Sequence, residues 1–211
     1  FITFCALSKA KGMGINMKTE KLRIKDLVTI GVFTVIYFVL MFASGMIGIV
    51  PILYLAYPTL AGIITGIVIM LFMAKVQKSW GLFILGLICS LVAIAMGNTY
   101  VILIHAVISM AIAELLRKKG EYKSFKFNML SFAVFNTWIC GFLMQVLLAK
   151  DKVIKLAETG GMGHDYIMKL IALLNYRSMV LVYIGAVVGG ILGAYIGKVF
   201  LKKHFEKAGI V

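Results

Sequence analysis

From Leu27 onward the chain alternates long apolar runs with short polar breaks, and this rhythm predicts helices rather than strands. The runs cover about 27–49, 52–74, 80–96, 100–116, 127–149 and 179–201. Each is about as long as the roughly 20 apolar residues that cross about 30 Å of hydrocarbon. The pattern predicts an all-α integral membrane protein of six transmembrane helices.

The breaks differ in kind. Pro51 stands at the first turn, and Pro58 is expected to kink the second span because proline removes a backbone donor. Gly97-Asn98-Thr99 leaves room only for a tight hairpin. The long segment from Lys150 to Arg177 is polar, and its Gly160-Gly-Met-Gly163 run breaks any continuous helix. Within it Ile167, Leu170, Ile171 and Leu174 recur at helical spacing, so this piece lies flat on the membrane or folds over the bundle.

Charge fixes the orientation. Of the 22 Lys and Arg, 17 fall in the N-terminal arm, the second and fourth loops and the tail, all on one side. The remaining five share the long fifth loop with Asp151, Glu158 and Asp165. The positive-inside rule then puts both termini in the cytoplasm. It also accounts for the net charge of +14 without nucleic acid, since the cations separate apolar runs instead of forming a basic face with interleaved aromatics.

Hydrophobic residues make up 62% of the sequence and charged ones 14%, which a water-soluble fold of 211 residues could not accommodate. The stretch Lys18 to Asp26 reads as a basic amphipathic lead-in on the cytoplasmic surface. Residues 1–17 read as a leader, non-native or disordered, ahead of a single membrane domain over 18–207.

Chemistry is sparse. GMGINMKT at Gly12 to Thr19 has Met17 where a phosphate-binding loop needs glycine. Cys5, Cys89 and Cys140 share no metal or disulfide spacing, and His164 beside Asp165 is too little for a metal site. No enzymatic signature, metal or cofactor is expected. Glu114 and Arg117, one turn apart near the cytoplasmic end of the fourth span, are expected to pair at the interface.

His105 is the most expensive side chain by depth, which points either to a bond between helices or to a ligand. Asn98, Tyr100 and Gln145 lie near the same outer level, and with His105 could form a neutral pocket opening outward. Trp138, Asn175, Arg177 and the loop residue His164 complete the candidate substrate-binding set. Span six carries Gly185, Gly189, Gly193 and Gly197 four apart, a ridge for close helix packing within the bundle or against a partner.

KLRIKDL at Lys21 to Leu27, GVFTVIYFVLM at Gly31 to Met41, the Pro51 and Pro58 region and the basic fourth loop together resemble a known family. They are similar to the substrate-binding S components of energy-coupling factor (ECF) transporters, in particular the MptD or Trep-Strep group. The resemblance implies a six-helix subunit in the bacterial cell membrane that binds a vitamin-like small molecule from outside. It implies partners too: a transmembrane coupling protein and two ATPase subunits. It places the docking face at Gly31 and Val35, with Thr34 sharing the contact, and Val35 departs from the family's usual alanine. It places the ligand under loops 44–51, 97–99 and 150–177. A standalone small-solute transporter or channel is the alternative.

Overall fold

The computed structural model describes residues 22–160 and 163–205, with side chains described through Lys203. The leader, the start of the amphipathic lead-in and Lys207 lie outside the described residues. Helix α1 spans Ile24–Gly45, and after a 3-10 turn at Met46–Ile49 come the short α2 at Pro51–Tyr54 and α3 at Tyr57–Lys75. Helices α4 (Gly81–Ala95) and α5 (Tyr100–Lys119) follow. The fifth apolar run is α6 (Phe125–Asn136) and α7 (Gly141–Leu148), joined through a 3-10 turn at Thr137–Cys140. Then come α8 (Lys150–Thr159), α9 (His164–Leu173) and α10 (Tyr176–Phe200).

Five of the six apolar runs are long and apolar enough to cross a membrane. The third, α4, has 15 residues, about 22 Å at 1.5 Å per residue. Outward-facing side chains such as Val32, Val35, Ile108, Leu181, Ile184 and Val188 are exposed, as lipid contact requires and water does not tolerate. No strand occurs among the described residues.

Pro58 does not kink the second span. It sits in the first turn of α3, and Pro51 likewise opens α2. The missing N–H costs nothing there because first-turn donors have no intrahelical partner. The kink expected inside one helix is therefore a break between two.

The glycine ridge of α10 packs inside the bundle, against α3. A Cβ on Gly197 would come within 2.9 Å of the Gly66 carbonyl, and one on Gly189 within 2.9 Å of Thr59 backbone atoms. Gly62 and Gly66 on α3 reciprocate, their missing side chains lying against the backbone of Gly189, Gly190 and Gly193. Two backbones touch here because neither carries a side chain, which is how helices gain attraction where lipid supplies no hydrophobic drive.

Asn136, fully buried at the end of α6, pins a third helix to this seam. Its Nδ2 donates to the Pro58 carbonyl at 2.9 Å and the Ala186 carbonyl at 2.8 Å. Around it Tyr37, Phe72, Phe132, Phe135 and Trp138 fill the centre, and Trp138 Nε1 donates to the Tyr37 hydroxyl at 2.8 Å.

At the basic end Glu114 and Arg117 are buried, at 5% and 0% exposure, and do not form the expected ion pair at the interface. Arg117 donates from Nη2 to the Val76 carbonyl at 2.8 Å and from Nε to Asn128 Oδ1 at 3.4 Å, and Tyr122 lies beneath its guanidinium. Glu114 Oε1 accepts from the Trp80 N–H at 2.6 Å, a donor presented by left-handed backbone with φ 69°. Each charge caps a neighbouring helix end, so the pair ties α3, α4, α5 and α6 together. Nearby, Lys78 bonds Asp26 at 2.8 Å and closes α1 onto the end of α3.

Candidate binding cavity at the outer end

The end remote from the basic loops is hollow. A cavity of about 560 Å³ lies between the outer part of α1 with its following turn, the end of α2, the start of α3, the α4–α5 hairpin and α7. Helices α8 and α9 roof it. Val153 and Ala157 of α8, with Ile167 and Leu170 of α9, turn inward and bury against Leu143, Val146 and Met179. The opposite faces carry Lys152, Lys155 and Lys169, all exposed.

The amphipathic segment expected on the membrane or over the bundle therefore folds over the bundle. Helix α8, read as polar loop, is the half of the roof that the sequence pattern did not reveal. Its apolar stripe of Val153, Leu156 and Ala157 is the signal, hidden among Lys150, Asp151, Lys152, Lys155 and Glu158.

The roof is fastened at two edges. The Tyr166 hydroxyl of α9 donates to the Gly48 carbonyl in the turn after α1. Gly97, at φ 94°, holds the α4–α5 hairpin in a conformation that L side chains rarely adopt, and a Cβ there would meet Leu156 of α8 at 2.8 Å. Burial pushes the Tyr166 phenol up from its ordinary value. Burial and then the neighbouring Tyr166 push up Tyr54. Both phenols are neutral at physiological pH.

Two sequence-derived candidates line the cavity, Asn98 and Gln145. Gln145 Oε1 accepts from the Thr99 N–H at 3.1 Å and the Thr99 hydroxyl at 3.0 Å, while its Nε2 donates to Asn98 Oδ1 at 2.9 Å. Asn98 Nδ2 donates in turn to the Ala93 carbonyl at 2.9 Å. The amides form a clasp that fixes the hairpin against α7.

The other candidates lie elsewhere. His105 faces α10, with Nε2 2.5 Å from the Tyr183 hydroxyl, so its depth is spent on a bond between helices. Trp138 is committed to Tyr37 in the core. Tyr100 is exposed with Lys152 over its ring, and exposed His164 lies 3.6 Å from Glu158. Asn175 caps α10 by accepting from the Arg177 and Ser178 N–H groups, and Arg177 is exposed. These six do not gather around one volume.

The residues that depth alone did not find are aromatic: Phe38, Phe42, Tyr54, Tyr57, Phe142 and Tyr166 all line the cavity. Tyr54 and Tyr57 stack with centroids 5.6 Å apart and planes 6° from parallel, and Phe142 meets Tyr57 edge-on at 6.4 Å. They come from four separate stretches of the chain, α1, the α2–α3 corner, α7 and α9, so no local motif announces them.

On the face of α1 where the resemblance places docking, Val35 is exposed and a Cβ on Gly31 would have nothing within 4 Å. Thr34 points inward, 6% exposed, its hydroxyl donating to the Ile30 carbonyl at 2.7 Å. One helical step separates its face from that of Gly31 and Val35.

A bundle of apolar helices with a basic end and a roofed outer cavity defines a multi-pass integral membrane protein. The chain belongs to the Trep_Strep family, described as hypothetical bacterial integral membrane proteins, whose model matches residues 24–207. No curated protein and no solved structure matches it.

Proposed function

We propose that the chain is the membrane-embedded substrate-binding subunit of an ATP-driven importer of the energy-coupling factor type. The observation that carries this is a ligand-sized cavity confined to the outer end. Below it Phe72, Met73, Phe132 and Phe135 are fully buried, and the Arg117 ties close the basic end. A roofed chamber above a packed core suits capture from outside, with release requiring the whole bundle to move against a partner.

In this reading α8 and α9 open for a vitamin-like small molecule and close once it is seated. The exposed strip of α1 at Gly31 and Val35 then docks the coupling protein, and two ATPase subunits supply the energy. The chain itself performs no chemistry.

Native mass spectrometry of the protein freshly released from bacterial membranes tests this. One retained small molecule is expected, absent from Ala157→Phe, which fills the cavity. A coupling protein and ATPases are expected to copurify, and Gly31→Trp to prevent it. Uptake into liposomes by the chain alone would overturn the proposal in favour of a standalone transporter.

A further inference from the structure

The cavity's lining says what kind of molecule it accepts. No Asp, Glu, Lys, Arg or His lines it among the described residues. An ion entering would lose its hydration without meeting a counter-charge, a cost that attraction inside the cavity does not offset. The amides that could have offered polar contact are engaged already, since Gln145 and Asn98 each use both their oxygen and their nitrogen in the clasp.

Two hydroxyls at the wall are not engaged in this way. Tyr57 is 4% exposed and Tyr54 half-buried, both line the cavity, and neither hydroxyl has a hydrogen-bond partner among the described residues. Each hydroxyl is open to the cavity, so an acceptor on a ligand can take its hydrogen bond in place of water. The rest of the wall is apolar: the rings of Phe38, Phe42 and Phe142 and the flexible thioethers of Met41, Met46 and Met96, with aliphatic and small residues between them. Rings favour flat partners in offset or edge-on contact, and methionine adapts to irregular outlines.

We infer that the cavity takes an uncharged, flat aromatic or heteroaromatic molecule carrying a carbonyl or ring-nitrogen acceptor, which the Tyr54 and Tyr57 hydroxyls hold by donation. This rests on the reading that the outer cavity is the site of capture. The small residues Gly45, Ala93 and Ala157 leave the ring-lined space open.

Three probes sharing one skeleton isolate charge: 2-naphthamide, 2-naphthoate and 2-naphthylmethylammonium. Each is measured by equilibrium dialysis against the full chain in nanodiscs, with empty nanodiscs as baseline. The amide is expected to bind at least about tenfold more tightly than either ion. Tyr57→Phe, at unchanged melting temperature, is expected to weaken it roughly three- to tenfold, the worth of one hydrogen bond. Tyr54→Phe serves as the second variant should Tyr57→Phe fold poorly.

Preference for an ion, with that binding lost in Ala157→Phe, overturns the substrate class and leaves the cavity as the capture site. Binding by none of the three, or amide binding that both tyrosine variants leave intact, also overturns the class. Binding above baseline that Ala157→Phe does not change puts the probe elsewhere and removes the capture reading itself.

Discussion

The two ends of the bundle solve the same problem in opposite ways. At the basic end and through the middle, helices meet backbone to backbone along the α3–α10 glycine seam, and buried polar groups are spent on neighbouring carbonyls. At the outer end large aromatic side chains hold the helices apart, and the gap is covered by two amphipathic helices instead of filled. Hydrocarbon rewards close packing and satisfied backbone, so an unfilled, roofed volume is a costly feature beside a seam packed backbone to backbone.

The seam provides the largest test of this contrast. A Cβ on Gly193 falls against the Gly62 carbonyl and 3.2 Å from Gly66 Cα, backbone atoms that cannot swing aside. Gly193→Leu is expected to cost more than about 4 kcal/mol and abolish a monodisperse peak after detergent extraction. Gly31→Leu, on a face where a Cβ meets nothing within 4 Å, is expected to extract like the parent. Equal behaviour of the two variants would mean that the seam is not what holds the bundle shut.

Arg117 comes next. Its guanidinium is fully buried and satisfies carbonyls at the end of α3. Arg117→Met keeps the volume but leaves Glu114 buried and the Val76 carbonyl without its donor. Breaking one member of a buried charge set costs about 3–5 kcal/mol, so the melting temperature in detergent should fall by several degrees. An unshifted transition would show that water reaches this end and that it is not closed.

The spans were legible because the bilayer imposes length and apolar composition on any sequence that crosses it. The cavity was legible only in part. Asn98 and Gln145 were found by depth, yet depth does not say which way around a helix a side chain points, and His105 at similar depth faces Tyr183 on α10. Tyr54, Tyr57 and Phe142 escaped because apolar rings in an apolar protein carry no contrast. Helix α8 escaped because five charged residues outweigh a three-residue stripe.

The smallest expected effect concerns the roof. Its underside is held by burial of Val153, Ala157, Ile167 and Leu170, which is non-directional and lets the roof slide or lift as a unit. The bond from the Tyr166 hydroxyl to the Gly48 carbonyl is directional and ties that unit to the turn after α1. Tyr166→Phe removes it and leaves the ring in place, a loss of about 1 kcal/mol. Only local opening should feel the change, because the roof touches neither the glycine seam nor the Arg117 ties. Amide exchange across α8 and α9 is therefore expected to quicken about fivefold, while exchange in α3 and α10 and the global melting temperature stay as in the parent. If the roof exchanges no faster, apolar burial alone fastens it. If α3 and α10 quicken as well, the two ends are one cooperative unit and the contrast between them is one of shape, not of stability.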